Sequence, residues 1–337
     1  MLNKKIGKQT IKFLEAPKII SANAIVGPKE GEGPLAQHFD TILDDDLFGL
    51  KSWEKAESKM IEETVKAAAS KIKLSIKDID YFFAGDLLNQ LMSSTFAARD
   101  LQIPYIGLFG ACSTLTESLS LSAMMIDGGY GDYAVAATSS HFSTAERQFR
   151  FPLELGNQRP LTSQWTVTGA GAAILSNKGK GPSIAYATIG KVIDFGIFDA
   201  NNMGAAMAPA AVDTIKTHFS DTGLSPSDYD LIITGDLGVI GMDIAKDLLM
   251  KEGINVSHNF SDCGVKIFDH EKQDTHAGGS GCGCSAVVFC GYLYTELIEK
   301  KIKNLLLVST GALLSPTSIQ QGESIPSIAH AVAIRSS

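Results

Sequence analysis

A chain of 337 residues with 45% hydrophobic and 20% charged side chains is long and apolar enough for one or two sizeable cores, which excludes a disordered polymer. Its formal net charge of -8 argues against a nucleic-acid surface, which must neutralise phosphates, but leaves room for one local anion pocket. The five cysteines, Cys112, Cys263, Cys282, Cys284 and Cys290, read as reduced thiols rather than a disulfide frame. The start carries lysines but no apolar core before a small-residue cleavage site, so no signal peptide is expected. No apolar run reaches the ~18 to 20 residues that span a bilayer. A soluble chain is expected, one that reaches a membrane through a partner.

Residues 54–74 predict a surface helix rich in alanine, glutamate and lysine, with Met60, Val65 and Ala68 as its apolar stripe. Residues 80–85 read as a strand ending at Gly85, residues 86–100 as helical, and 101–109 as a second strand-like segment. GACSTLTESLSLSAMMIDGG, at 110–129, reads as strand end, turn and long helix, stopped by Gly128 and Gly129. DYAVAATSS at 132–140 is a short buried strand, and TGAGAAILSNKGKG at 168–181 a strand with a polar turn. In the second half, 223–236 gives a turn, a helix start and a strand, and 243–253 a helix with a glycine stop. Residues 281–302 run from loop into helix, 303–315 form a strand and loop, and 327–336 a last strand. Helices between short apolar strands make this an α/β protein.

The halves echo each other in order. SIKDIDYFFAGD at 75–86 parallels SPSDYDLIITGD at 225–236, GDYAVAATSSHF parallels KNLLLVSTGALL, and GAAILSNKG parallels AHAVAIRSS. An internal duplication follows, with an N-terminal half of 1–180 and a C-terminal half of 181–337.

This duplicated order, with GACST opening a helix, resembles the thiolase and ketoacyl synthase superfamily. FAGDLLNQ (83–90), GLFGACSTLTESL (107–119), ATSSHFSTAERQFRFPLELGNQRP (137–160), QWTVTGAGAAIL (164–175) and DTHAGGSGCGC (274–284) narrow the resemblance to the stage V sporulation protein AD family of endospore-forming bacteria. The resemblance implies a thiolase-like fold of two βαβ-rich halves in an αβαβα stack, with the reactive cysteine capping a buried helix. It also implies binding of dipicolinic acid (pyridine-2,6-dicarboxylate), free or as its calcium chelate. The ligand would be loaded into the developing spore, and released in germination, together with integral membrane proteins of the same operon. A homodimer paired across the first-half sheet, peripheral attachment to the forespore or spore inner membrane, and no cofactor complete the expectation.

On this reading Cys112 stands at the ancestral nucleophile position. A helix start favours a thiolate, and equally a bound carboxylate. His276, in THAGGSG, lies on a tight glycine loop like the one that faces the cysteine in the superfamily, and offers a hydrogen bond to a carboxylate or thiolate. Condensing enzymes carry a second polar residue, histidine or asparagine, after the strand matching LIITGDLG. Thr234, Gly235, Asp236 and Leu237 stand there instead, and an aspartate repels a developing oxyanion. The late loop STGALLSPTS, 309–318, lacks the cysteine thiolases carry there. Both departures point away from catalysis.

Ser139, Ser140 and His141 end a strand, where ligands bind in open α/β sheets, although a serine there also caps helices. Arg147, Arg150 and Arg159 follow, suited to bidentate carboxylate recognition, and Arg159 is kept as the ligand candidate. The remaining cysteines lack paired metal-ligand spacing, and no metal site is expected. GAGAA at 169–173 is not a dinucleotide fingerprint, and there is no P-loop or H-E-x-x-H. Two rivals stay open: an acyltransferase using Cys112 and His276 on a coenzyme A or carrier thioester, and a structural adaptor with a vestigial pocket.

Overall fold

The computed structural model describes residues 4–149 and 159–337. The first half of the chain supplies β1 (Lys18–Val26), β2 (Tyr81–Gly85), β3 (Tyr105–Gly107), β4 (Ala134–Ser140) and β5 (Gly169–Ser176). The second supplies β6 (Ser183–Thr188), β7 (Leu231–Thr234), β8 (Phe260–Asp262), β9 (Asn304–Ala312) and β10 (Ser327–Arg335). The helices that matter below are α1 (Trp53–Lys71), α2 (Met92–Leu101), α3 (Thr114–Asp127), α4 (Phe142–Phe149), α5 (Met203–Thr222), α6 (Gly238–Lys251) and α7 (Cys282–Val287).

The strands join in the order β8-β7-β9-β10-β6-β1-β5-β4-β2-β3. The central link is thin, since β6 and β1 share the single pair Ser183 and Lys18. Outward from that link each side runs first, fifth, fourth, second and third strand of its half. Directions match as well. β2 is parallel to β3 and β4, as β7 is to β8 and β9, while the two inner pairings on each side are antiparallel.

Strands covered on both faces need apolar residues at consecutive positions, and β2 and β9 supply them. Phe82 packs with Met60, Ile61 and Val65 of α1, while Phe83 faces Leu115 and Leu119 of α3. Leu305 and Leu307 of β9 share that α3 cluster, and Leu306 turns to Met207, Ala211 and Ile215 of α5. The alternation is the two-residue period of a pleated strand. α3 therefore touches β2 and β4 on one side and β9 and β10 on the other, with α7 beside it against β1, β4 and β5. The helix that follows Cys112 runs through the middle of the molecule.

Candidate functional site

After β3 the chain turns sharply. Ala111 takes a left-handed φ of 49°, and α3 begins at Thr114. The turn uses its own donors. Ser113 N–H donates to the Gly110 carbonyl (3.1 Å), Thr114 N–H to that of Ala111 (3.2 Å), and Gly110 N–H to Thr114 Oγ1 (3.1 Å). The end of β9 presses on the same turn. A Cβ at Gly311 would stand 2.3 Å from the Gly110 carbonyl oxygen and 3.2 Å from Cys112 N, so only glycine fits.

Asp236 follows β7, is fully buried, and bears electrostatically on the Cys112 thiol. Its carboxylate accepts from Thr310 Oγ1 (2.8 Å), Gly281 N–H (2.9 Å) and Ser280 Oγ (3.3 Å). Burial pushes Asp236 up to about 6, against those donors. Burial first, and then the negative charge of Asp236, hold the Cys112 thiol well above its ordinary range. The expectation that the helix start favours a thiolate is therefore corrected: desolvation and a neighbouring acid outweigh the helix end. A protonated, buried thiol is a poor nucleophile.

The cavity at Cys112 is about 40 Å³ and is walled by Leu87, Phe109, Phe149, Met203 and Leu314. Among the described residues, its ionisable groups besides the thiol come to Glu146, an acid. For scale, an enclosed apolar cavity of ~150 Å³ can hold a benzene ring. Leu87, Phe109, Phe149 and Leu314 are shared with an outer apolar vestibule of about 340 Å³.

The strand-end residues are pins for the fold. Ser139 Oγ donates to Glu57 Oε1 (2.9 Å), and Ser140 Oγ donates to the Val167 carbonyl (2.6 Å) while accepting from Gly283 N–H (3.1 Å). His141 Nε2 donates to the Asp46 carbonyl (2.8 Å) and its Nδ1 accepts from Ser143 N–H (3.1 Å), with burial lowering its pKa so the ring stays neutral. All three are buried.

His276 and Arg159 are brought together elsewhere. His276 sits at a left-handed φ of 50°, and its Nε2 meets Asp274 Oδ1 at 2.8 Å. Arg159 pairs with the other Asp274 oxygen and donates from Nη1 to the Asp274 carbonyl (3.3 Å). Neither residue belongs to the wall of the Cys112 cavity. Arg159 instead lies over the Trp165 ring, 5.0 Å from its centroid. A two-residue ladder pairing Trp165–Thr166 with Gly279–Ser280 separates the two places. Thr166 and Ser280 face the Cys112 cavity, and Trp165, one residue off, points the other way. Arg147 pairs with Glu54 over Trp53, and Arg150 lies outside the described residues. Cys263, Cys282, Cys284 and Cys290 are buried free thiols. Among the described residues no group of three or more His, Cys, Asp or Glu is placed to hold a metal ion.

Sequence reasoning treated Asp236 as a missing donor, not as a neighbour of Cys112. The signal was in the repeat: AGD ends β2 as TGD ends β7, and both aspartates are buried. Asp86 accepts from Leu88 N–H (2.9 Å), Ser94 N–H (2.7 Å) and Ser94 Oγ (2.7 Å), a structural counterpart of the Asp236 arrangement.

Among solved structures, 3-oxoacyl-[acyl-carrier-protein] synthase III from Aquifex aeolicus VF5 superposes with a TM-score of 0.56 over 95% of this chain and 100% of that one, at 16% identity. Xanthomonas campestris OleA E117D gives 0.60 over 94% and 96%, at 12% identity. These likenesses show a shared α/β, thiolase-like fold. A stage V sporulation protein AD from Bacillus subtilis (strain 168) is 49% identical over 329 residues, 98% of this chain and 97% of that protein. Residues 7–335 match the family described as Stage V sporulation protein AD (SpoVAD), and the chain accordingly belongs to that family.

Proposed function

We propose that the chain binds dipicolinic acid without transforming it, serving its uptake into the developing spore and its release in germination. The observation that carries this reading is the pairing of a buried, protonated Cys112 with Asp236. The fold's nucleophile is present, but an acid stands where an oxyanion donor is needed. Family membership supplies the spore context. In the same reading the repeated strand order marks two duplicated halves, 1–180 and 181–337, that meet near residue 180. Among the described residues no helix is long and apolar enough to cross a membrane. The chain attaches peripherally to the forespore or spore inner membrane through integral proteins of the same operon. A second copy pairs along the outer strand β3, beside which Ile106 (44%) and Phe109 (51%) are exposed.

Titration calorimetry on the purified protein tests the reading, with dipicolinate supplied free and as its calcium chelate. Saturable binding at one site per subunit is expected. Pyridine-2-carboxylate leaves one set of donors unpaired, which costs about 1 to 3 kcal/mol, or one to two decades in affinity, and benzoate binds more weakly still. Equal affinity for dipicolinate and benzoate would sink the claim of specificity. The apolar vestibule outside Cys112 favours a second reading, acyl transfer from a thioester. Turnover of acyl-coenzyme A that depends on Cys112 would establish it. Absence of both binding and turnover would leave a structural adaptor.

A further inference from the structure

We propose that the loop joining β6 to α5 is a docking surface for a Lys- and Arg-rich loop of an integral membrane protein, with Val192, Phe195 and Phe198 as its apolar anchors. The class of partner rests on the membrane attachment proposed above. The surface itself rests on the following geometry.

Val192 is 56% exposed, Phe195 66% and Phe198 63%. A lone exposed hydrophobe needs no explanation, but a group of them in one short loop marks a contact surface. The loop is pinned rather than loose. Ile193 and Ser327 exchange backbone hydrogen bonds in both directions (2.8 Å each), and Ile325 N–H donates to the Ile197 carbonyl (2.7 Å). Asp194 accepts from Gly196 N–H (2.8 Å) and from Ser324 Oγ. Ile193 and Ile197, the half-buried residues between the anchors, pack against the α5 core. A backbone held this firmly has little left to order when a partner arrives, which favours binding.

Charge selects the occupant. Asp194 and Asp199 flank the two rings in the chain, and the Ser324 bond to Asp194 brings Glu323 to the same rim; all three acids are exposed. Among the described residues none of the three is in an ion pair, whereas Lys191, the cation of the loop, is paired with Asp213 (3.4 Å). A rim of uncompensated acids repels the anionic headgroups of a bilayer, so the rings are not a lipid anchor. The same rim complements the cytoplasmic loops of integral membrane proteins, which carry an excess of Lys and Arg. A guanidinium or ammonium over Phe195 or Phe198 gains cation–π attraction as well.

The position in the fold points the same way. The loop runs into Met203, and the segment that pins it, 315–325, follows Leu314; Met203 and Leu314 both wall the Cys112 cavity. Leu313, Ser315 and Pro316 line the vestibule outside it. A partner seated on the loop thus meets the chain on the two segments that lead into the cavity, where a bound ligand can be handed on.

The test uses the full-length protein, inverted membrane vesicles from sporulating cells that lack their own copy of the chain, and protein-free liposomes made from the lipids of those vesicles. Co-sedimentation should show saturable binding to the vesicles and little to the liposomes. Trypsin, which cuts after Lys and Arg, should abolish binding when the vesicles are treated beforehand. Phe195→Ala and Phe198→Ala should each weaken it roughly 10- to 100-fold, as loss of a buried aromatic anchor does. Glu323→Lys, whose side chain makes none of the pinning bonds, should weaken it several-fold and reduce its salt dependence. Circular dichroism and light scattering check that each variant is folded with the wild-type subunit number. Phenylalanine variants that bind vesicles like the wild type would overturn the surface and keep the membrane attachment. Binding that is equally strong on liposomes or on trypsin-treated vesicles would replace the basic protein loop by lipid and overturn the proposal. A lower subunit number in Phe195→Ala would assign the loop to contact between copies and overturn it as well. Vesicles that take up no wild-type protein would overturn the attachment and the surface together.

Discussion

The two faces of the Trp165–Thr166 ladder differ in almost every physical respect. On the Thr166 side lie a small apolar cavity, a protonated thiol and buried acids. On the Trp165 side lie a half-buried aromatic face, two cations and one exposed carboxylate. The first carries the signature turn, and among the described residues the ionisable groups of its wall are a thiol and an acid. The second carries no signature and has the cations. A motif marks where a fold once did its chemistry, but the field at each face follows from the charges assembled there.

The comparison breaks first if the Cys112 side proves pliable. Gly311→Ala drives a methyl into the Gly110 carbonyl, and overpacking of this kind costs about 1 to 3 kcal/mol. Chemical denaturation should show a lower midpoint with an unchanged slope. A neutral result would mean that the turn at Cys112 yields, and that its cavity can open for a ring.

A second effect is global and depends on pH. Burial raises Glu30 to about 8, Asp262 to about 7 and Asp236 to about 6, and Glu57 is raised too, by burial and by the charge of Asp86. Unfolded carboxyls titrate near ~4, so between there and the folded values the folded chain holds more protons. Stability is then lost as pH rises through about 6 to 8. Burial lowers His218 and His330 to about 4, so stability is also lost as pH falls from the ordinary histidine range through about 4. Scanning calorimetry should find the highest melting temperature on the weakly acidic side of neutral. A maximum near pH 9 would show that the acids are solvated.

Asp236→Asn sharpens the contrast locally. Removing the negative charge should lower the Cys112 pKa, and alkylation of Cys112 by iodoacetamide at alkaline pH should rise several-fold, followed by mass spectrometry. An unchanged alkylation rate would make burial alone responsible. The smallest expected effect is that of salt. Raising sodium chloride from ~0.05 to ~0.5 M should weaken dipicolinate binding a few-fold, because counterions screen a dianion, and should leave Cys112 alkylation as it was.

Much of the fold was legible. The apolar runs of β2, β4, β9 and β10 and the stripe of α1 are stated openly by residue type. α5 is hard to read because a glycine and a proline, Gly204 and Pro209, stand inside it, although alanines on its buried face carry it past both. β1 was hidden by Ser21 and Asn23, polar residues inside a buried strand; Ser21 resolves the conflict by donating to the Ala68 carbonyl at 2.7 Å. Cys112 could be placed from GACST because a turn and a helix start are local. The cluster at Trp165 could not, since Lys29, Phe142, Arg159 and His276 come from four separate segments, and only tertiary packing puts them on one ring.

One helix belongs to both faces. α4 begins with Phe142, stacked on Trp165, and its Ala145, Glu146 and Phe149 wall the Cys112 cavity. A rigid body of eight residues cannot tilt at one end and stay still at the other. If an occupant of the Cys112 cavity moves Phe149, the free energy of that shift is shared with the Phe142–Trp165 stack. Thermodynamic reciprocity then requires that whatever favours the shifted stack raise the occupant's affinity by the same factor by which the occupant favours that stack.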